Sequence, residues 1–211
     1  EQIRENFATV EARVRRWFGL GLGSKTCTFL GKRIVPPSAT APPYWRYQAG
    51  VNALAFSSFH LTEDTVRDYV SQLVKFSPEI IVGYPSALMT LARLWGGPIP
   101  WYSPPRIVWT SSETLYLENR AVIERCIGGR VVNEYGLAEG VARISECPNG
   151  CLHVYSDYGF IELMDEGDGT AEIVGTSLSG WAMPLIRYRT GDRVVFNASD
   201  TCDCGVPLPV V

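Results

Sequence analysis

Two close cysteine pairs, Cys147-x3-Cys151 and Cys202-x-Cys204, carry thiols at spacings that suit two short loops gripping one tetrahedral Zn²⁺. Gly150 and Gly205 let those loops bend, and thiolates favour zinc over hard cations. His153, two residues beyond Cys151 and so on the same face of a strand, is an alternative ligand in place of a cysteine. Disulfides are the rival use of these thiols, and a reducing cytosol disfavours them. A second constellation is Asn133-Glu134-Tyr135-Gly136-Leu137-Ala138-Glu139-Gly140. An aromatic ring that stacks on a base, a glycine that admits close approach and a carboxylate that holds Mg²⁺ together suit a nucleotide. A third is Tyr188-Arg189-Thr190-Gly191-Asp192, where an ionised carboxylate after a turn glycine offers acceptors to a ribose diol. Taken singly, the second is a common strand end and the third an ordinary turn.

The elements that must position these groups follow from periodicity. Residues 4–18 place Phe7, Val10, Val14, Trp17 and Phe18 on one helical stripe beside Arg13, Arg15 and Arg16. Thr26 to Leu30 and Ala53 to Ser57 read as buried strands, and the four prolines within 35–44 make that stretch an extended loop. From Thr62, acids in the first turn and Val66, Tyr69, Val70, Leu73 and Val74 on one face predict an amphipathic helix. Glu79 to Val82 predicts a strand, Pro85 a helix start and Gly96-Gly97 its stop. Arg106 to Thr110, Leu117 to Ile127 and a strand beginning at Val131-Val132 repeat the alternation. Beyond residue 150, Phe160 to Met164, Ala171 to Leu178 and Arg193 to Phe196 read as strands with no helix between them. The expected fold is α/β, a mostly parallel sheet with flanking helices, followed by a small antiparallel sheet or barrel. The expected division is 1–145 for the α/β part and 146–211 for the antiparallel part with its cysteines.

Composition excludes several classes. With 46% hydrophobic and 19% charged residues, the 211-residue chain is neither disordered nor a simple repeat. A net charge of −3 gives no reason to expect nucleic acid or an anionic membrane as partner. No apolar run approaches the roughly 20 residues of a spanning helix. Neither a signal peptide nor an initiator stands at Glu1-Gln2-Ile3-Arg4-Glu5, so an excerpt of a longer cytoplasmic protein is expected. Cys27 and Cys126 lie in apolar surroundings and read as small buried hydrophobes. Tyr84 with Trp101, Tyr102 and Trp109 would suit an aromatic ligand, or else the core. A homodimer is among the arrangements the sequence allows.

Several segments together carry a resemblance: Ile81-Val82-Gly83-Tyr84-Pro85-Ser86-Ala87-Leu88, Thr110-Ser111-Ser112-Glu113, Asn133 to Glu139, Met183 to Asp192, and Cys202-Asp203-Cys204-Gly205. In this order and at these separations the chain resembles the adenylate-forming superfamily of acyl-CoA synthetases, luciferases and peptide-synthetase adenylation domains. Within it, phenylacetate–CoA ligase and its capsule-biosynthesis relatives are most similar. The resemblance implies an enzyme that uses ATP and Mg²⁺ to convert a carboxylic acid to acyl-AMP, then transfers the acyl group to coenzyme A.

It further implies roles. Tyr135 would stack on adenine, Glu139 would be the catalytic carboxylate that binds Mg²⁺ bridging the ATP phosphates, and Asp192 would hold the ribose. Glu134, Gly136 and Ala138 would lie at the cofactor with them, Ser112 and Glu113 would line the nucleotide side, and Tyr84, Pro85 and Ser86 would sit by the acyl pocket. The plain alternative for the last three is a helix start. Ala138 departs from the family's Thr or Ser, whose hydroxyl contacts phosphate; losing one charge-assisted bond costs roughly 1.5–3 kcal/mol. The family's phosphate loop and its lysine-bearing C-terminal domain would lie outside this sequence, so the chain alone is expected to be inactive. Two other readings remain: an adenylating enzyme with an acceptor other than coenzyme A in polysaccharide biosynthesis, and a degenerate, non-catalytic binding module.

Overall fold

The computed structural model describes residues 11–195 and 201–211. Phe7 and Val10 of the expected N-terminal stripe, and Phe196 of the expected last strand, lie outside the described residues. The chain divides into two compact units, one of residues 21–133 and one of residues 1–20 with 134–211. No described helix is long and apolar enough to cross a membrane.

In the unit of residues 21–133, four strands are mostly buried and rich in apolar residues: β1 (Thr26–Leu30), β3 (Ala53–Ser57), β4 (Ile80–Gly83) and β5 (Ile107–Ser111). Continuous rather than alternating apolar runs suit strands covered on both faces, and these strands pair in parallel. The short β2 (Trp45–Gln48) adds an antiparallel edge on β3. It follows the proline-rich loop without a sequence signal of its own; its residues are mostly exposed, as an edge tolerates. Three helices connect and flank the strands: α2 (Val66–Phe76), α3 (Pro85–Trp95) and α4 (Leu117–Ile127). α2 buries Val66, Tyr69, Val70 and Leu73, a stripe at i, i+3, i+4 and i+7. It starts at Val66 rather than Thr62, because Thr62–Thr65 close a turn in which Thr65 Oγ1 accepts the Thr62 N–H at 2.9 Å. Pro85 opens α3, and Gly96 ends it at φ +78°.

The core packs the Phe29 ring on Phe56 at 4.8 Å, with Tyr69 beside both. The Tyr69 hydroxyl donates to the Ser57 carbonyl at 2.6 Å, and burial pushes its pKa up. Trp109 is buried and the Trp101 indole N–H donates to the Ile127 carbonyl at 2.5 Å, whereas Tyr102 is fully exposed. These aromatics therefore form no common pocket. Cys27 and Cys126 are buried, as their surroundings predicted. The register Leu30↔Ser57, Phe29↔Gly83 and Gly83↔Thr110 aligns the strand ends, so Gly31, Ser58, Tyr84 and Ser112 all leave the same carboxyl edge. That edge is where parallel sheets place ligands.

The sheet runs β2-β3-β1-β4-β5-β6-β7-β8, with β6 (Arg130–Gly136), β7 (Arg143–Glu146) and β8 (Leu152–Val154) at its other end. β7 and β8 pair antiparallel and were not foreseen, being too short to show a period. The second unit also holds α1 (Ala12–Trp17), whose Val14 is fully buried. A separate antiparallel sheet comprises β9 (Gly159–Asp165), β10 (Thr170–Ser177) and β11 (Tyr188–Val195). The fold is thus α/β, a mostly parallel sheet with helices plus a small antiparallel sheet. β11 begins at Tyr188, not Arg193. The segment expected as a turn is strand with an irregularity opposite Glu172 and Val174, and Gly191 takes φ +76° there.

Two glycines let the antiparallel sheet meet the backbone of Val141. A Cβ on Gly159 would stand 2.2 Å from the Val141 carbonyl oxygen, and one on Gly175 would stand 2.8 Å from it. Gly159→Ala should lower unfolding free energy by about 2 kcal/mol or more, since the obstacle is backbone and not a flexible side chain. Urea denaturation measures it, and an unchanged midpoint would show that the contact relaxes freely.

Candidate functional site

At the end of β6, alternation sends Glu134 and Tyr135 to opposite faces. Glu134 is buried and accepts the Arg143 guanidinium at 2.7 Å, so its carboxylate is engaged within the protein. Gly136 has a related reason to lack a side chain: a Cβ there would lie 2.1 Å from Arg143 Nη1. The Arg143 guanidinium passes close beside Gly136 on its way to Glu134.

Tyr135 is half-buried, and its hydroxyl donates to Asp192 Oδ2 at 2.7 Å. Burial first, and then this bond, push the phenol pKa up. Thr190 Oγ1 accepts the Asp192 N–H at 3.0 Å and donates to the Ile173 carbonyl at 2.8 Å, which fixes the Asp192 backbone. Beyond β6 the chain turns at Leu137–Gly140, where the Gly140 N–H donates to the Leu137 carbonyl at 3.2 Å and Ala138 is exposed. Glu139 accepts the Tyr188 hydroxyl at 3.3 Å. Two hydrogen bonds thus pair Tyr135 with Asp192 and Tyr188 with Glu139, an arrangement of two carboxylates and two phenol rings. Tyr188 was missed as a participant, because one tyrosine within a strand carries no distinguishing pattern.

In the other unit, Glu113 and Ser86 meet although the sequence reading gave them separate roles. The Ser86 N–H donates to Glu113 Oε2 at 2.9 Å and the Ser86 hydroxyl to Oε1 at 2.8 Å. The carboxylate thereby caps the first turn of α3, where the positive end of the helix dipole favours it. Pro85 is buried at the helix start, and Tyr84 precedes it in extended conformation. Ser112 adopts φ +68°, a left-handed conformation in which a serine is strained, with its hydroxyl 3.4 Å from that of Ser111.

The thiol cluster is the most densely built group. Cys147, His153, Cys202 and Cys204 bring one ligand atom each to within 4.8 Å of one another. Cys147 Sγ and Cys202 Sγ are 3.6 Å apart, and Cys204 Sγ is 3.2 Å from His153 Nε2. Bonds of about 2.3 Å to a tetrahedral zinc set sulfurs roughly 3.8 Å apart. The Leu208 carbonyl can only accept, so His153 Nδ1 carries the hydrogen that reaches it at 3.1 Å, and the Nε2 lone pair faces the thiols. Trp17 of α1 lies against the His153 ring at 5.8 Å. The Asn149 N–H donates to Cys147 Sγ at 3.3 Å, which stabilises a thiolate. A bond from the Cys151 thiol, aided by the Cys204 N–H, lowers Cys202 to about 6, and Cys151 is pushed up to about 12 in return. Cys151 thus touches the cluster as a donor to Cys202, while His153 belongs to the mutually close four. All six cysteines are free.

A mostly parallel sheet with this strand order and an attached three-stranded sheet is the fold of adenylate-forming acyl-CoA ligases. The chain superposes on 2-hydroxyisobutyryl-CoA ligase with 2-HIB-AMP at TM-score 0.70 and 20% identity, over 98% of this chain and 46% of that one. A benzoate CoA ligase from Burkholderia xenovorans gives TM-score 0.51 at 14% identity, over 89% of this chain and 38% of that one. In sequence, Protein CapK of Staphylococcus aureus is 29% identical over 177 residues, 83% of this chain and 39% of that protein. Phenylacetate-coenzyme A ligase of Thermus thermophilus is 28% identical over 169 residues, 74% of this chain and 38% of that protein. No protein-family model matches. Together these relatives support the adenylate-forming ligase superfamily for this chain, which spans about two-fifths of the length of the curated relatives it matches.

Proposed function

We propose that these residues form the central part of an ATP-dependent ligase that activates a carboxylic acid as acyl-AMP, releases pyrophosphate and passes the acyl group to coenzyme A. The observation that carries this reading is the Tyr135–Asp192 pair, which sets an aromatic ring and an acceptor carboxylate side by side at 2.7 Å. In it the Tyr135 ring stacks on adenine and Asp192, through its second oxygen, accepts from a ribose hydroxyl. Glu139 is the residue that would hold Mg²⁺, which when bound neutralises phosphate charge; its carboxylate is steadied by the Tyr188 hydroxyl. Exposed Ala138 leaves the phosphate contact of its turn to backbone N–H groups. Ser112 and Glu113 face the nucleotide side, and Tyr84, Pro85 and Ser86 border the acid, with Glu113 fixing Ser86. Cys147, His153, Cys202 and Cys204 would hold a structural zinc, for which a preset histidine tautomer and a backbone N–H to sulfur are suited donors.

The test is acid-dependent exchange of labelled pyrophosphate into ATP by a chain extended to the length of the relatives, across aromatic and short aliphatic acids. Exchange together with a coenzyme A thioester is the expected result. Exchange without thioester would assign a different acceptor, and no exchange with any acid would reduce the chain to a binding module, the reading Ala138 favours. The 211-residue chain alone is expected to give no exchange: positioning and electrostatic closure around the phosphates contribute several kcal/mol of barrier lowering, and the residues assigned here reach adenine, ribose and metal only. Exchange by this chain at a rate near that of the extended one would show that the catalytic centre is misplaced.

A further inference from the structure

The carboxyl edge of the parallel strands holds a second polar group that none of the roles above uses. A cavity of about 360 Å³ opens there, lined by Gly31, Arg33, Val35, Pro37, Phe59 and His60. Its size falls within the range of small-molecule sites. Gly31 directly follows β1 and His60 closes the turn after β3, so the register that aligns Leu30 with Ser57 brings the two together. His60 is rigidly held. Its Nδ1 is 2.8 Å from the Ser57 hydroxyl, its ring stacks on Tyr44 at 5.3 Å and 18°, and its carbonyl accepts the Thr65 hydroxyl at 2.6 Å. The Ser57 hydroxyl occupies Nδ1, so Nε2, which has no protein partner among the described residues, is the ring nitrogen left for a ligand. Arg33 likewise has no carboxylate partner among the described residues, and Lys32 precedes it. The rest of the lining is glycine, valine, proline and phenylalanine. An apolar cavity with one unpaired guanidinium and one fixed imidazole, which donates from Nε2 when it meets an anion, suits an anion on a short hydrocarbon body.

Gly31, which lines the cavity, also abuts Tyr84: a Cβ on it would lie 3.2 Å from Tyr84 Cε2. We propose that the cavity takes the far, anionic end of the acid, so that the substrate class is a short dicarboxylic acid: one carboxylate is activated near Tyr84 while the other pairs with Arg33 and His60 Nε2. This rests on the reading of Tyr84 as a border of the acyl site. A monocarboxylic acid of equal length has no charge to leave at Arg33, and the difference between the two is the specificity.

The chain has only two histidines, His60 and His153, so their Cε1–Hε1 signals in a ¹H–¹³C spectrum report the cavity directly, with His60→Gln as the assignment variant. Titration of the full chain with glutarate at fixed pH, without ATP, should move the His60 signal saturably and leave that of His153 in place. Pentanoate, the monocarboxylate of equal length, should bind at least about tenfold more weakly, the discrimination one charged partner supplies. Arg33→Gln, an exposed substitution, should remove that preference while the ligand-free His60 signal keeps its position and so confirms the fold around the cavity. A His60 signal that ignores glutarate, equal binding of pentanoate, or an unaltered titration in Arg33→Gln would each overturn the proposal. An intact titration beside a failed pyrophosphate exchange would keep the dicarboxylate site and remove the ATP chemistry; exchange with monocarboxylic acids and no His60 response would do the reverse.

Discussion

Zinc content of about one equivalent per chain is expected from elemental analysis, falling to a small fraction in His153→Ala and in Cys202→Ser, while Cys151→Ser retains the ion. The contrast follows from geometry. His153 presents Nε2 to Cys204 with its tautomer already set by the Leu208 carbonyl, whereas Cys151 meets the cluster through a hydrogen bond to Cys202. The loss in His153→Ala should also lower the melting temperature by several degrees or more, because a structural zinc contributes its binding free energy to folding. A chelator should reproduce the shift in the wild-type chain and have no effect on His153→Ala. Full zinc in His153→Ala with loss in Cys151→Ser would put the fourth ligand at Cys151, and metal-free protein of unchanged stability with freely titratable thiols would end the zinc reading.

Asp192→Ala in the extended chain should raise the ATP Michaelis constant about 10- to 100-fold with a smaller effect on the acid, the range expected when one or two charge-assisted bonds to a bound hydroxyl are lost. Tyr135→Phe separates the two functions of the pair. It keeps the ring for stacking and removes the hydroxyl that holds Asp192 Oδ2, so its effect on ATP should be well below that of Asp192→Ala. An unchanged ATP constant in active, folded Asp192→Ala would remove this residue from the site. Equal losses in both variants would mean that the hydroxyl, and not the carboxylate, makes the contact.

The strands of the parallel centre were legible because burial on both faces forces continuous apolar runs, as in Ala53–Ser57 and Ile107–Ser111. Helix α4 was legible to the residue at both ends, since Gly128 at φ +80° marks the stop as clearly as the glycine pair does in the sequence. The short β7 and β8 were not, because three or four residues show no period and their place is set by pairing with distant partners. Residue type singled out Asp192, Tyr135, Glu139 and the cysteines. It could not tell that Glu134 turns to Arg143, that Gly136 makes room for that arginine, or that Glu113 caps Ser86. Those are three-dimensional pairings between side chains with no fixed separation. The tautomer of His153 depends in the same way on a carbonyl 55 residues away.

That last contact sits in a small closure. The Val154 N–H donates to the Pro209 carbonyl at 2.8 Å and the Val211 N–H to the Leu152 carbonyl at 3.0 Å, so residues 208–211 lie along β8. The thiols at Cys147 and Cys202, 55 positions apart, meet at the neck of a loop that contains all of β9, β10 and β11. Any bond made at that neck, through a metal or otherwise, turns the three-stranded sheet into a tethered ring whose ends cannot separate when it melts. Chain statistics put the entropy withheld from such a denatured ring at about 4 kcal/mol, independent of any contact inside the sheet. The antiparallel sheet should therefore refold from a collapsed hairpin set whenever the neck survives, and unravel as a free tail when it does not.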